Sequence, residues 1–148
     1  MKKLLIFCFA CISTLIGFSQ NPVQWSFSAR KLADKKYEVH LNAIIQEPWH
    51  VYSQSTPEGG PLPTTITFGK NPLISLEGKA RETGELHQVH DNTFDVDVKY
   101  FSGNVDFVQV VKVKSTARTA ITGTVEFMAC DDHQCLPPKT IPFTIQLK

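Results

Sequence analysis

From Val23 onward the chain is built of short apolar runs with an extended rhythm. In Tyr37-Glu38-Val39-His40-Leu41, and again in Phe94-Asp95-Val96-Asp97-Val98-Lys99-Tyr100, every second side chain is apolar. That spacing gives an extended strand one buried face and one wet face. Runs rich in β-branched or aromatic residues cover Val23 to Ala29, Tyr37 to Ile45, Thr64 to Phe68, Phe94 to Phe101, Val105 to Val113, Ile121 to Met128 and Ile141 to Leu147. Turn formers punctuate them at Glu58-Gly59-Gly60-Pro61, Gly69-Lys70-Asn71-Pro72 and Ser102-Gly103-Asn104. No stretch of ten residues carries a convincing helical period. About seven to nine short strands without helices predict an all-β domain, an immunoglobulin-like antiparallel β-sandwich, with a closed barrel as its competitor.

The first nineteen residues follow a different pattern. Lys2 and Lys3 precede an apolar stretch from Leu4 to Phe18, with small residues at Gly17 and Ser19. This is the layout of a secretory signal peptide cleaved before Gln20. As a membrane anchor the stretch is short against the ~20 residues a span needs. A lipoprotein signal would place Cys8 or Cys11 after a small-residue box at the end of the apolar run, which neither occupies. The expected organisation is therefore a signal peptide, 1–19, and one domain, 20–148, large enough for a single core.

Cleavage changes the charge balance. The whole chain is formally +1 with His neutral; loss of Lys2 and Lys3 leaves 13 basic against 14 acidic residues, or −1. Nothing in that balance favours nucleic acid or an anionic membrane as a partner. No second hydrophobic run approaches spanning length.

Cleavage also removes Cys8 and Cys11, leaving Cys130 and Cys135 in an exported, oxidising setting where a disulfide persists. If Ile121 to Ala129 is one strand and Leu136 leads into the last, the two cysteines flank a four-residue hairpin loop. Directly opposed residues there have Cα atoms about 4.5 to 5.5 Å apart, within reach of a disulfide. Pro137 and Pro138 cannot donate ladder hydrogen bonds, so the second strand should begin frayed or at an edge.

Three chemistries compete for the pair. Closing a loop of about six residues constrains the unfolded chain by only roughly 2 kcal/mol, against nearly 5 for a loop of about 100. This argues for a redox role over a structural clip, although C-x4-C alone leaves the clip open. Zinc would use Cys130, His133 and Cys135 with Asp131 nearby, but structural zinc commonly takes two separated pairs, and His87 and His90 would have to come from another loop. His133 reads more simply as a solvated loop residue that would favour thiolate formation while Asp131 and Asp132 oppose it.

The segment Ala129-Cys130 through Cys135-Leu136-Pro137-Pro138-Lys139-Thr140-Ile141-Pro142 resembles the cysteine hairpin of the N-terminal periplasmic domain of DsbD, the bacterial thiol:disulfide interchange protein. The likeness extends in strand rhythm from about Trp25 to Leu147, but only the hairpin is specific. It implies an immunoglobulin-like sandwich that works without a cofactor. Such a domain takes electrons from a thioredoxin-like domain or membrane thiol reductase and reduces oxidised periplasmic thiol proteins. It implies Cys135 as the sulfur forming the mixed disulfide and Cys130 as the one completing the exchange. Trp49 and Tyr52, in Pro48-Trp49-His50-Val51-Tyr52, resemble aromatic residues lining the family's site, and Phe94 resembles its cap over the disulfide, each also readable as ordinary core.

Two departures stand out. Whole family proteins continue into membrane helices and a second thioredoxin-like domain, so this chain is expected to need an external donor. The inter-cysteine loop is also one residue shorter than in the best-known form. The competing function is a secreted β-sandwich binding module whose disulfide is purely structural.

Overall fold

The structure, a computed structural model, describes residues 21–92, 95–116 and 118–147. They form nine strands: β1 (Val23–Ala33), β2 (Lys36–Ile45), β3 (His50–Tyr52), β4 (Thr65–Phe68), β5 (Ile74–Asp91), β6 (Val96–Val113), β7 (Thr119–Phe127), β8 (Ala129–Cys130) and β9 (Lys139–Leu147). All pair antiparallel. The larger sheet runs β1-β2-β6-β3-β8 with β5 on the other edge of β6, and the smaller runs β4-β7-β9. The fold is the expected all-β, immunoglobulin-like sandwich.

Alternation places the core as the sequence predicts. Tyr37, Val39, Leu41, Ala43 and Ile45 on β2 are all buried, and Phe143, Ile145 and Leu147 on β9 answer them from the other sheet. An aromatic cluster fills the space between: the Trp25 ring centroid lies 5.8 Å from that of Phe107 and 5.3 Å from that of Phe127, and Phe27 lies 5.3 Å from Phe143. Offset and tilted rings at such distances add to the apolar area they remove from water.

Two features depart from the expected strands. Ser102-Gly103-Asn104 is no turn, because β6 runs through it for 18 residues. Gly103 has φ +69°, and at this point β6 changes partner, from β2 at Asn104 opposite Ile44 to β3 at Ser102 opposite His50. On its other edge, Gly84 opposes Val105 and Leu86 opposes Phe101, so one residue of β5 faces three of β6. A bulge with a left-handed glycine bends a strand without ending it.

The second departure is β5, an 18-residue strand in a segment too polar to announce one. It is the open edge beside β6, and most of its side chains are exposed. Charged side chains along such an edge discourage pairing with another chain.

Candidate functional site

The site begins where β7 runs out. Phe127 still pairs with Lys139 of β9, but after Met128 the chain crosses to the larger sheet, where Ala129 pairs with Val51 and Cys130 with His50. Cys130 thus sits on the edge strand of the six-stranded sheet. Cys135 opposes it through a single antiparallel bridge, and the Leu136 N–H donates to the Ala129 carbonyl at 2.8 Å. The two cysteines form a disulfide with an S–S distance of 2.06 Å and Cα atoms 4.0 Å apart. The loop folds tightly under them. Asp131 Oδ1 accepts the His133 and Gln134 N–H groups, both at 2.8 Å, and the Asp131 N–H donates to the Gln134 carbonyl at 2.9 Å. Those backbone donors, His133 first, hold the Asp131 carboxyl below its usual range.

The two sulfurs see different surroundings. Cys130 is only 1% exposed and packs with Tyr52 and Val98, flanked by Val96, Tyr100 and Met128, whereas Cys135 is exposed. Both open onto a groove of about 670 Å³ whose walls include His50 and Tyr52 of β3, Val89 and Asp91 of β5, and Val98 and Tyr100 of β6. In this oxidised form neither sulfur is free to ligate a metal, since each is bonded to the other.

One wall is a run of packed rings. Tyr100 pairs with Tyr52 on one side and His87 on the other. Its ring centroid lies 4.4 Å from that of His50 and 5.1 Å from that of His87. The Tyr52 hydroxyl meets His50 Nε2 at 3.1 Å. Burial pushes the Tyr52 phenol up to about 12, helped by Asp91 and Tyr100, so it stays protonated in any physiological setting. Burial also lowers the His50 pKa below its ordinary value, with Asp132 and Asp131 opposing and His87 reinforcing the change. At neutral pH the imidazole is therefore uncharged.

The expected site residues divide along this geometry. Cys130, Cys135 and Tyr52 come together at the groove. Trp49 goes elsewhere: at 8% exposure it belongs to the main core with Val51, and it is not among the groove-lining side chains. The reason is the two-residue period of extended backbone, which sends 50 and 52 to one face and 49 and 51 to the other. Phe94 lies outside the described residues, as does the expected signal peptide. His50, Tyr100 and His87 were not singled out for the site from sequence. The same alternation in Trp49-His50-Val51-Tyr52 pairs His50 with Tyr52 and would have found it.

Residues 19–147 match the family described as thiol:disulfide interchange protein DsbD, N-terminal. The chain belongs to that family. DsbD N-terminal domains are thiol:disulfide interchange domains, and the Cys130–Cys135 pair is the feature of this chain that suits that chemistry. No curated protein matches the sequence. Among solved structures, the complex between the DsbD N-terminal and the PilB N-terminal domains from Neisseria meningitidis is similar at 11% identity and a TM-score of 0.50, covering 82% of this chain and 80% of that one. The N-terminal periplasmic domain of ScsB from Proteus mirabilis gives 11% identity and a TM-score of 0.48, over 84% of this chain and 44% of that one. The reduced DsbD N-terminal domain of Neisseria meningitidis gives 16% and 0.43, over 82% and 83%. The first of these supports the fold of the DsbD N-terminal-type sandwich described above. Among the described residues, no helix is long and apolar enough to cross a membrane.

Proposed function

We propose that this domain is an exported redox relay. It takes two electrons from a reduced thioredoxin-like donor or membrane thiol reductase and passes them to oxidised thiol proteins outside the cytoplasm. Met1 to Ser19 would direct export, leaving 20–148 as the working domain. The observation that carries the reading is the unequal exposure of the two bonded sulfurs at the lip of the groove: Cys135 can be approached by another protein while Cys130 waits beneath it. In thiol exchange a thiolate attacks one sulfur of a disulfide, a mixed disulfide forms, and a second thiol resolves it. Cys135 is the sulfur through which a partner joins, and Cys130 the resolving one. Tyr52 supports the pair from below. Phe94 is proposed as a cap by family likeness alone.

The test is exchange itself. Oxidised protein mixed with a reduced thioredoxin-like donor should gain two thiols within minutes, measured by mass shift after alkylation. The variant with both cysteines replaced by Ser should lose exchange but stay folded, at a cost of about 2 kcal/mol from the short loop. A folded wild type that never exchanges, or a double variant unfolded at room temperature, would support a structural clip instead.

A further inference from the structure

The relay read above needs a proton moved at its buried sulfur, and one titratable group is placed to move it. Cys130 is enclosed by Tyr52, Val98 and their apolar neighbours, and burial of this kind raises a thiol above its ordinary pKa of about 8.5. A buried thiol resolves a mixed disulfide slowly unless something takes its proton. His50 is the cross-strand partner of Cys130, so both side chains leave the same face of the sheet, and both line the groove. The Tyr52 hydroxyl meets His50 Nε2 at 3.1 Å, and the tautomer in which Nε2–H donates to that hydroxyl carries its lone pair on Nδ1, the nitrogen then able to accept a proton. Tyr100 packs against the ring from β6, at 4.4 Å between centroids.

We propose that His50 is the proton carrier for Cys130. In the delivering direction, the Cys135 thiolate attacks the partner disulfide; a Cys135–partner bond forms, and one partner sulfur leaves as a thiolate. His50 then takes the proton of the Cys130 thiol. The Cys130 sulfur attacks Cys135, the Cys130–Cys135 bond forms, and the second partner sulfur leaves with the electron pair. The partner gains two electrons, the domain loses two, and solvent protonates the partner thiolates. The reverse reaction returns the proton from the imidazolium to Cys130 as it leaves.

The surroundings suit a base working near neutral pH. The groups around the ring are Cys130 of β8, Asp131 and Asp132 of the following loop, His87 of β5, Tyr100 of β6 and Tyr52 on its own strand. The two carboxylates stabilise the imidazolium once it forms, His87 opposes it, and the Tyr52 phenol is neutral. Burial keeps the resting ring unprotonated and ready to accept.

Glutathione disulfide serves as the probe. Reduced domain is mixed with it between about pH 6 and 9.5, and the Cys135–glutathione intermediate is followed by acid quench and mass spectrometry. Expected for the wild type is a resolution rate that flattens above the imidazole's titration. His50→Gln, which keeps a polar partner for Tyr52 but cannot titrate in this range, should resolve at least about tenfold more slowly at pH 7, the lower part of what a positioned base contributes being already larger than that. Its rate should rise about tenfold per pH unit and approach the wild type as Cys130 ionises unaided. Added free imidazole should restore part of the loss. The wild-type profile stands on its own should the variant fold poorly: a rate climbing log-linearly from about pH 7 to 9, without flattening, overturns the proposal, as do superimposable profiles for the two proteins. Failure of the wild type to form or resolve any intermediate overturns the relay reading itself, a distinguishable outcome.

Discussion

In a protein spanning residues 20–148, Cys135→Ser leaves a single thiol that barely reacts, while Cys130→Ser leaves one that captures other thiol proteins. The expectation follows from the crossing at Met128. That step carries Cys130 into the larger sheet, next to His50 and against Tyr52 and Val98, and leaves Cys135 outside as the loop returns. Only a thiolate attacks, and burial among apolar side chains disfavours the thiolate. Restricted access slows it further. Alkylation by iodoacetamide, followed by intact mass at pH 7, should therefore show Cys135 in the Cys130→Ser variant reacting about 100-fold or more faster than Cys130 in the Cys135→Ser variant. The Cys130→Ser variant should also hold a mixed disulfide with an oxidised partner indefinitely, having lost the sulfur that resolves it. Equal alkylation rates would mean that Cys130 is not shielded as described.

Phe107→Ala should be the costliest single truncation away from the site. Phe107 is wholly buried on β6, opposite Leu41 of β2, with the Trp25 ring 5.8 Å and the Phe101 ring 6.4 Å away. Removing a buried phenyl forfeits its transfer energy and leaves a cavity, about 3 to 5 kcal/mol in all. Against a total stability of about 5 to 15 kcal/mol for an ordinary domain, that is a large share. Denaturant unfolding should show the midpoint falling with the slope unchanged. Molecules still folded should exchange at the wild-type rate, because the cysteine strand pairs with β3 and not with the stretch of β6 that carries Phe107. A loss under about 1 kcal/mol would mean that the two sheets do not close on Phe107.

The parts of the fold that show in the sequence are those whose faces differ. On β2 one face is core and the other solvent, so the alternation from Tyr37 to Ile45 reads directly. On β5 both faces and one edge are largely wet, so Ile74 to Asp91 carries no apolar period and its strand is held by pairing to β6 and by Glu82, which accepts from the Ser53 hydroxyl and the Gln54 N–H. Gly103 misleads for a related reason: a glycine flanked by Ser and Asn signals a turn, yet here it serves a bulge in a strand whose partners on either edge were invisible locally.

The site follows the same logic. The cysteine pair and its hairpin-like geometry come from spacing and from the prolines after Cys135, and β9 does begin only at Lys139. The inequality of the two sulfurs does not, because it depends on Met128 handing the chain from one sheet to the other. Trp49, expected at the site by its likeness to the family's lining aromatics, packs in the main core, the alternative its sequence also allowed. Its neighbour His50, one position along and therefore on the opposite face, is the one that meets Cys130.

The central claim, that the Cys130–Cys135 bond exists to be exchanged, is tested most directly by its reduction potential. The oxidised domain is equilibrated in thiol–disulfide buffers of known potential and the reduced fraction counted by alkylation and mass. An exchange-active pair should come to balance above about −300 mV, within reach of thioredoxin-like donors, whereas structural disulfides of secreted proteins lie below about that value. A potential above that line is the predicted result. A potential well below it would make the bond a hairpin clip and contradict the relay.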